Sequence, residues 1–133
     1  FREAWRVLRP GGQLALSTLG PATFAELRAA FSGVDRHRHT LSFSEPEAVE
    51  QALIDAGFSD VCLDRETMRL HYPDLKTQLR VVKDIGANSV GEGARSGLLG
   101  RAAWQRVQAA YEEYRTDAGL PASYDVILAY ARK

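Results

Sequence analysis

Ser17, Thr18 and Gly20 stand at the carboxyl end of a short apolar run, Leu14-Ala15-Leu16, which reads as a strand buried on both faces. In open α/β sheets that end is where ligands sit, so Thr18 and Gly20 are expected beside a bound molecule. A second concentration of small and polar residues runs over 87–100, with Asn88, Ser89, Gly91, Gly93, Ser96, Gly97 and Gly100. A loop of that length inside a compact domain carries function or stays disordered. Its Gly91-Glu92-Gly93 lacks the preceding strand and the directly following helix that a phosphate-binding turn requires. No catalytic triad is visible. The single cysteine, Cys62, cannot form an internal disulfide or a cysteine-based zinc site, and inside Val61–Leu63 it reads as buried filling in a reducing compartment.

The elements that would position these groups follow from periodicity and punctuation. Ala4, Trp5, Val7 and Leu8 give an apolar side to a helix that Pro10 ends, and Gly11-Gly12 permits the turn into the strand of residues 14–16. Residues 23–31 read as a helix with Thr23 and Glu26 at capping-box spacing and Phe24, Leu27 and Phe31 on one face. Residues 34–43 read as a polar loop holding Asp35, Arg36, His37, Arg38 and His39. Ser44 and Glu47 form a second capping box, with Pro46 in the first turn, Val49, Leu53 and Ala56 facing inward, and Gly57 and Phe58 closing the helix.

Residues 61–71 read as a long edge strand whose apolar phase changes between Val61/Leu63 and Met68/Leu70, which calls for a bulge or twist near 64–66. Asp74 caps a helix with Leu75, Leu79, Val82 and Ile85 on its stripe, stopped by Gly86. After the Gly-rich loop, residues 101–118 read as a helix with Trp104, Val107, Tyr111 and Tyr114 on one side. The last strand, 124–131, is apolar on both faces and is therefore expected in the interior of the sheet.

The bulk numbers are those of one ordinary soluble domain: 133 residues, 45% hydrophobic and 26% charged. Seventeen basic residues balance seventeen acidic ones, so no overall field argues for nucleic acid or an anionic membrane, and recognition by charge must be local. No apolar run is long enough to span a bilayer and no charged-then-apolar leader opens the sequence, so a cytoplasmic protein is expected. The missing Met and the helical first residues read as those of a piece of a longer protein.

A helix ending in LRPGG (Leu8–Gly12), then a strand, a helix, an edge strand and an inward last strand resembles the C-terminal half of a class I S-adenosylmethionine-dependent methyltransferase. The runs STLGPATFAELR from Ser17, HRHTLSF from His37, LHYPDL from Leu70, LRVVKDIGANSVGEG from Leu79, GLLGR from Gly97 and LPASYDVILAYARK from Leu120 resemble the malonyl-acyl-carrier-protein O-methyltransferases of biotin synthesis. The resemblance implies an α/β fold: strands 5, 6 and 7 of a Rossmann-like sheet, the last antiparallel and central. Residues 1–72 and 122–133 would form the sheet part and 73–121 an inserted helical lid. The cofactor-binding half of the family, a glycine-rich turn followed by an acidic ribose ligand, has no counterpart here.

That resemblance further implies methyl transfer from S-adenosyl-L-methionine to the free carboxylate of a malonyl group on acyl carrier protein, with this chain supplying the substrate side and inactive alone. A carboxylate is already ionised at neutral pH and needs no general base, so orientation and charge placement are the expected contributions. A carboxylate entering a buried site needs a donor or cation. His39, His71 and Tyr72 lie in the resembling stretches and are the substrate-binding candidates together with Thr18, Gly20, Asn88 and Ser89. His37, Arg36, Arg38 and Arg69 lie near them. The carrier protein is acidic, and Arg95, Arg101 and Arg106, in a stretch without an acid, are its docking candidates. No metal site is expected. The alternatives are a methyltransferase of another small acid, a non-catalytic helical module using Trp104, Tyr111 and Tyr114, and a fragment that dimerises through the bare edge of its first strand.

Overall fold

The structure is a computed structural model that describes residues 1–34, 41–84 and 100–133. Its elements in order are α1 (Arg2–Val7), β1 (Gln13–Leu19), α2 (Ala25–Ser32), α3 (Pro46–Asp55), β2 (Ser59–Tyr72), α4 (Leu75–Asp84), α5 (Arg101–Glu112) and β3 (Leu120–Arg132). The three strands form one sheet in the order β1-β3-β2, so the last strand is central, and it runs antiparallel to β1. The chain divides into two compact units: Phe1–Thr23 with Phe43–Met68 and Asp125–Lys133, and Phe24–Ser42 with Arg69–Tyr124.

In the first unit, β1 and β3 pair from Gln13↔Arg132 to Leu19↔Val126. Strand alternation sends Leu14 and Leu16 of β1, Val61 and Leu63 of β2, and Ile127, Ala129 and Ala131 of β3 to one core. Val49 and Leu53 of α3 complete it with Phe58, which sits just past the helix where Gly57 takes φ +100°. Lys133 secures the opening helix. Its ammonium lies 4.1 Å from the centre of the Trp5 ring and donates to the Leu8 carbonyl at 2.9 Å, while Trp5 Nε1 donates to the Gly57 carbonyl at 2.9 Å.

Several expectations change in this unit. Ala15 and Ser17 are exposed, and so is Tyr130, the cross-strand partner of Ala15, so β1 is buried on one face only and β3 is not apolar-covered on both. Cys62 is exposed, because it alternates with the inward Val61 and Leu63. Met68 and Leu70 are half-exposed at 50% and 46% rather than turned into a second core. Asp60, at the start of β2, takes a positive φ of 49°. Trp5 and Val7 stay exposed on a six-residue helix that buries nothing fully. No capping box forms at α3, whose N-cap is Glu45 without a side-chain bond; Pro46 at the first position fixes the start by its own φ.

The second unit is helical at its core, with α2 packed on α5. Phe24, Leu27, Ala30 and Phe31 meet Leu75 and Val82 of α4, Val107 and Tyr111 of α5, and Leu120. Here too a capping box is absent: α2 begins at Ala25 after a left-handed Phe24, and Glu26 binds the hydroxyl and amide of Ser123 instead of its own helix end. Asp74 does cap α4, accepting from the Thr77 amide at 2.7 Å. Helix α5 ends at Glu112, six residues before the expected stop, where Arg115 folds back on Glu112 and a Thr116–Gly119 bridge turns the chain into β3. Ile85, Gly86 and most of the Gly-rich loop lie outside the described residues.

No helix among the described residues is long and apolar enough to cross a membrane. Leu53 is wholly buried, and Leu53→Ala is expected to cost about 3 kcal/mol of stability in urea unfolding. Gln78 of α4 is wholly buried beside Tyr111 with both amide atoms unpartnered among the described residues. Gln78→Met should therefore leave the unfolding midpoint unchanged or raise it; a clear fall would show that the amide serves the fold.

Candidate functional site

The carboxyl end of β1 is organised by one acidic residue of the neighbouring strand. Asp125 interrupts the apolar sequence of β3 and its side chain is only 1% exposed. Arg65 of β2 meets it as a two-pronged fork, Nε donating to Oδ1 and Nη2 to Oδ2, each at 2.7 Å. The Ala22 amide donates to Oδ2 at 2.9 Å. The backbone joins in: the Gly20 amide donates to the Asp125 carbonyl at 2.7 Å, and the Asp125 amide donates to Thr23 Oγ1 at 3.1 Å. A four-residue turn, Gly20 to Thr23, is thus held from the side by one residue of β3.

This packing explains Gly20. A Cβ there would lie 2.5 Å from Asp125 Oδ2, an atom pinned by Arg65 and Ala22 and unable to retreat. The requirement is close approach, not a special backbone angle. The Arg65 guanidinium holds the Asp125 carboxyl below the ordinary carboxylate range, assisted by the Ala22 amide and opposed by burial. The same pairing raises Arg65 further above its ordinary value.

Among the residues singled out from the sequence, Thr18 and Gly20 sit together at this end of β1, Thr18 half-buried and paired with Ile127, Gly20 buried. In the second unit, His71 is exposed on β2, and Tyr72 is half-buried with its hydroxyl 3.1 Å from that of Tyr124. Burial and the Tyr72 hydroxyl push the Tyr124 phenol upward. Burial likewise lifts Tyr111 to about 12, and its hydroxyl donates to the Pro121 carbonyl at 2.7 Å. Arg101 and Arg106 are exposed on α5, but five residues apart they project from different sides of the helix. His39, Asn88, Ser89 and Arg95 lie outside the described residues, as do Arg36, His37 and Arg38.

Sequence reasoning passed over Arg65 and Asp125. The available signal was a single acid inside an otherwise apolar strand, which burial forbids without a cation or donors. No group of three His, Cys, Asp or Glu that could hold a metal ion occurs among the described residues. The space beside the glycine turn after β1, at Gly20, is filled by the Asp125 carboxylate.

Two substitutions test this arrangement. Gly20→Ala should break the Ala22–Asp125 contact and lower the melting temperature. Asp125→Asn should cost about 2 kcal/mol. The Asp125 carboxyl titrates below its ordinary 3.8 when folded, so its contribution is complete above that pH and is lost as pH falls through the lower, folded value. The stability gap between the wild type and Asp125→Asn should therefore be constant near neutral pH and narrow as pH is taken below the ordinary carboxylate range. A gap that does not change with pH would mean the carboxylate charge is not what holds the turn.

No family model matches the chain. Individual relatives do. The malonyl-[acyl-carrier protein] O-methyltransferase of Dechloromonas aromatica is 54% identical over 133 residues, which is 100% of this chain and 51% of the relative. That of Laribacter hongkongensis is 43% identical over 129 residues, 97% of this chain and 43% of the relative. The biotin biosynthesis bifunctional protein BioHC of Teredinibacter turnerae is 42% identical over 134 residues, 100% of this chain and 24% of the relative. The chain spans about half the length of the first two relatives. The similarity runs from the first residue to the last and so takes in the Gly20 turn and the Asp125 strand: over its whole length the chain is similar to about half of a malonyl-[acyl-carrier protein] O-methyltransferase.

Proposed function

We propose that the chain is the substrate-side part of an S-adenosyl-L-methionine-dependent methyltransferase that esterifies the free carboxylate of a malonyl group carried on acyl carrier protein, in the synthesis of the biotin precursor. The observation that carries this reading is the 54% identity across the whole chain to a relative bearing that name. In the same reading β1, β2 and β3 correspond to strands 5, 6 and 7 of the methyltransferase sheet, and residues 73–121 form a helical lid. The sheet order, with the last strand central and antiparallel to β1, agrees with that assignment.

In this reading donor binding falls to the part of the relatives' length that this chain does not span. This chain's own task is then to bind and orient the acceptor. The acceptor carboxylate is ionised at neutral pH, which removes any need for a general base. What remains is to hold its reacting oxygen in place and exclude water. The fixed turn at Gly20–Thr23, beside Thr18, is the rigid element best suited to that task. Tyr72 and His71 are the acceptor-side candidates of the second unit, with Asn88 and Ser89 opening the Gly-rich segment. Arg95, Arg101 and Arg106 are candidates for the carrier protein.

Of the aromatics the non-catalytic interaction module would need, Tyr111 is wholly buried and Trp104 packs on the same core, which leaves Tyr114, 40% exposed, as the one on the surface and no aromatic patch among the three. The test is methyl-ester formation by a full-length enzyme carrying this chain, followed by mass spectrometry. Malonyl-carrier protein is expected to be methylated far faster than free small dicarboxylic acids. Methylation of a free acid, with malonyl-carrier untouched, would assign the chain to a different methyl acceptor.

A further inference from the structure

Helix α4 carries a surface feature that stability does not explain. Its inward face is Leu75, Gln78 and Val82, all buried. Lys76, Arg80 and Lys83 are all exposed. At spacings of four and three residues they form one stripe along two turns, about 10 Å long. Like charges at those spacings repel and weaken a helix. Only Lys83, in the last turn, gains from the helix dipole.

Among the described residues none of the three has an ion-pair partner, whereas Arg6, Arg65 and Arg115 bind Glu3, Asp125 and Glu112. The acid nearest in sequence to Lys76 is Asp74, and its carboxylate is engaged in capping the helix through the Thr77 amide. The only acid within α4 is Asp84 at its end. Asp74 also lies close enough to Lys76 to feel its charge, but in a chain with zero net charge three cations against two acids at the helix ends remain a local excess of positive charge.

We propose that the Lys76–Arg80–Lys83 stripe is the docking surface for an acidic carrier protein, engaging one acidic helix face of that partner. The inference rests on the methyl-acceptor reading above and names a surface for it on α4. Charge complementarity supports that occupant: the stripe is as long as two helical turns and matches a single acidic helix, and the balanced charge of the whole chain gives no long basic track for a polyanion. Such a surface acts on encounter and on KM for the carried substrate, not on the chemical step.

The experiment uses a full-length enzyme carrying this chain and the charge reversal K76E/R80E/K83E, with the neutral K76Q/R80Q/K83Q as a variant that removes the repulsion and should fold at least as well. Calorimetric titration with the carrier protein should give a salt-sensitive Kd for the wild type. It should weaken at least tenfold in the reversal and by a smaller factor in the neutral variant. KM for malonyl-carrier should rise in parallel, with KM for a malonyl thioester of pantetheine unchanged. An unchanged Kd overturns the proposal, as does an equal rise in KM for the small thioester, or a wild type that binds duplex DNA or anionic vesicles but not the carrier protein. If the carrier binds through the stripe yet malonyl-carrier is not methylated, the docking surface stands and the methyl-acceptor reading fails.

Discussion

A buried carboxylate in a central strand sets the terms for the first unit. Asp125 cannot remain charged inside β3 without compensation, and three neighbours supply it: the Arg65 fork, the Ala22 amide, and a glycine whose missing side chain leaves room for the carboxylate. Gly20 and Ala22 belong to the turn after β1 and Arg65 to β2. Satisfying one charge therefore fixes the turn after β1 to the central strand and joins β2 to the same point. Pairs of this kind add little net stability compared with apolar packing, but breaking one leaves a charge stranded. The effect is specificity of geometry at the end of the strand where a ligand would be met.

The second unit solves its polar accounts differently. Tyr111 is buried whole yet donates a hydrogen bond to the Pro121 carbonyl, and Ser123 is held by Glu26 through both hydroxyl and amide. Tyr72 and Tyr124 share a hydroxyl contact while Phe24 meets the Tyr124 ring edge-on at 5.0 Å. Gln78 is the exception, a buried amide whose two polar atoms find no hydrogen-bond partner among the described residues. With the unpaired cations of its outer face, α4 is the helix in which local stability has been conceded on both sides.

Much of the architecture could be read from residue order. Pro10, Gly57 and Asp74 mark real ends because each acts through its own backbone or a neighbouring amide. The alternation of Val61 with Leu63 and of Ile127 with Ala129 and Ala131 identifies the inner faces correctly. What failed were inferences that needed to know what lies opposite. The Thr23/Glu26 and Ser44/Glu47 spacings satisfy a capping rule, but Glu26 found Ser123, nearly a hundred residues away, to be the better partner. Cys62 looked like filling because its neighbours are apolar, yet alternation turns it outward. Thr18 and Gly20 were located by strand position, while Arg65 and Asp125 were invisible as a pair because sixty residues separate them.

In the proposed reading, the rigid turn of the first unit orients the acceptor and the cationic helix of the second receives its carrier. The most direct measurement is functional replacement. In the Dechloromonas aromatica relative, the half matched by this chain is exchanged for it, and the chimera is expressed in a bacterial strain that lacks its own malonyl-carrier methyltransferase. Growth without added biotin is the expected result. A soluble, folded chimera that binds the methyl donor yet fails to restore growth would contradict the assignment of the acceptor side to this chain.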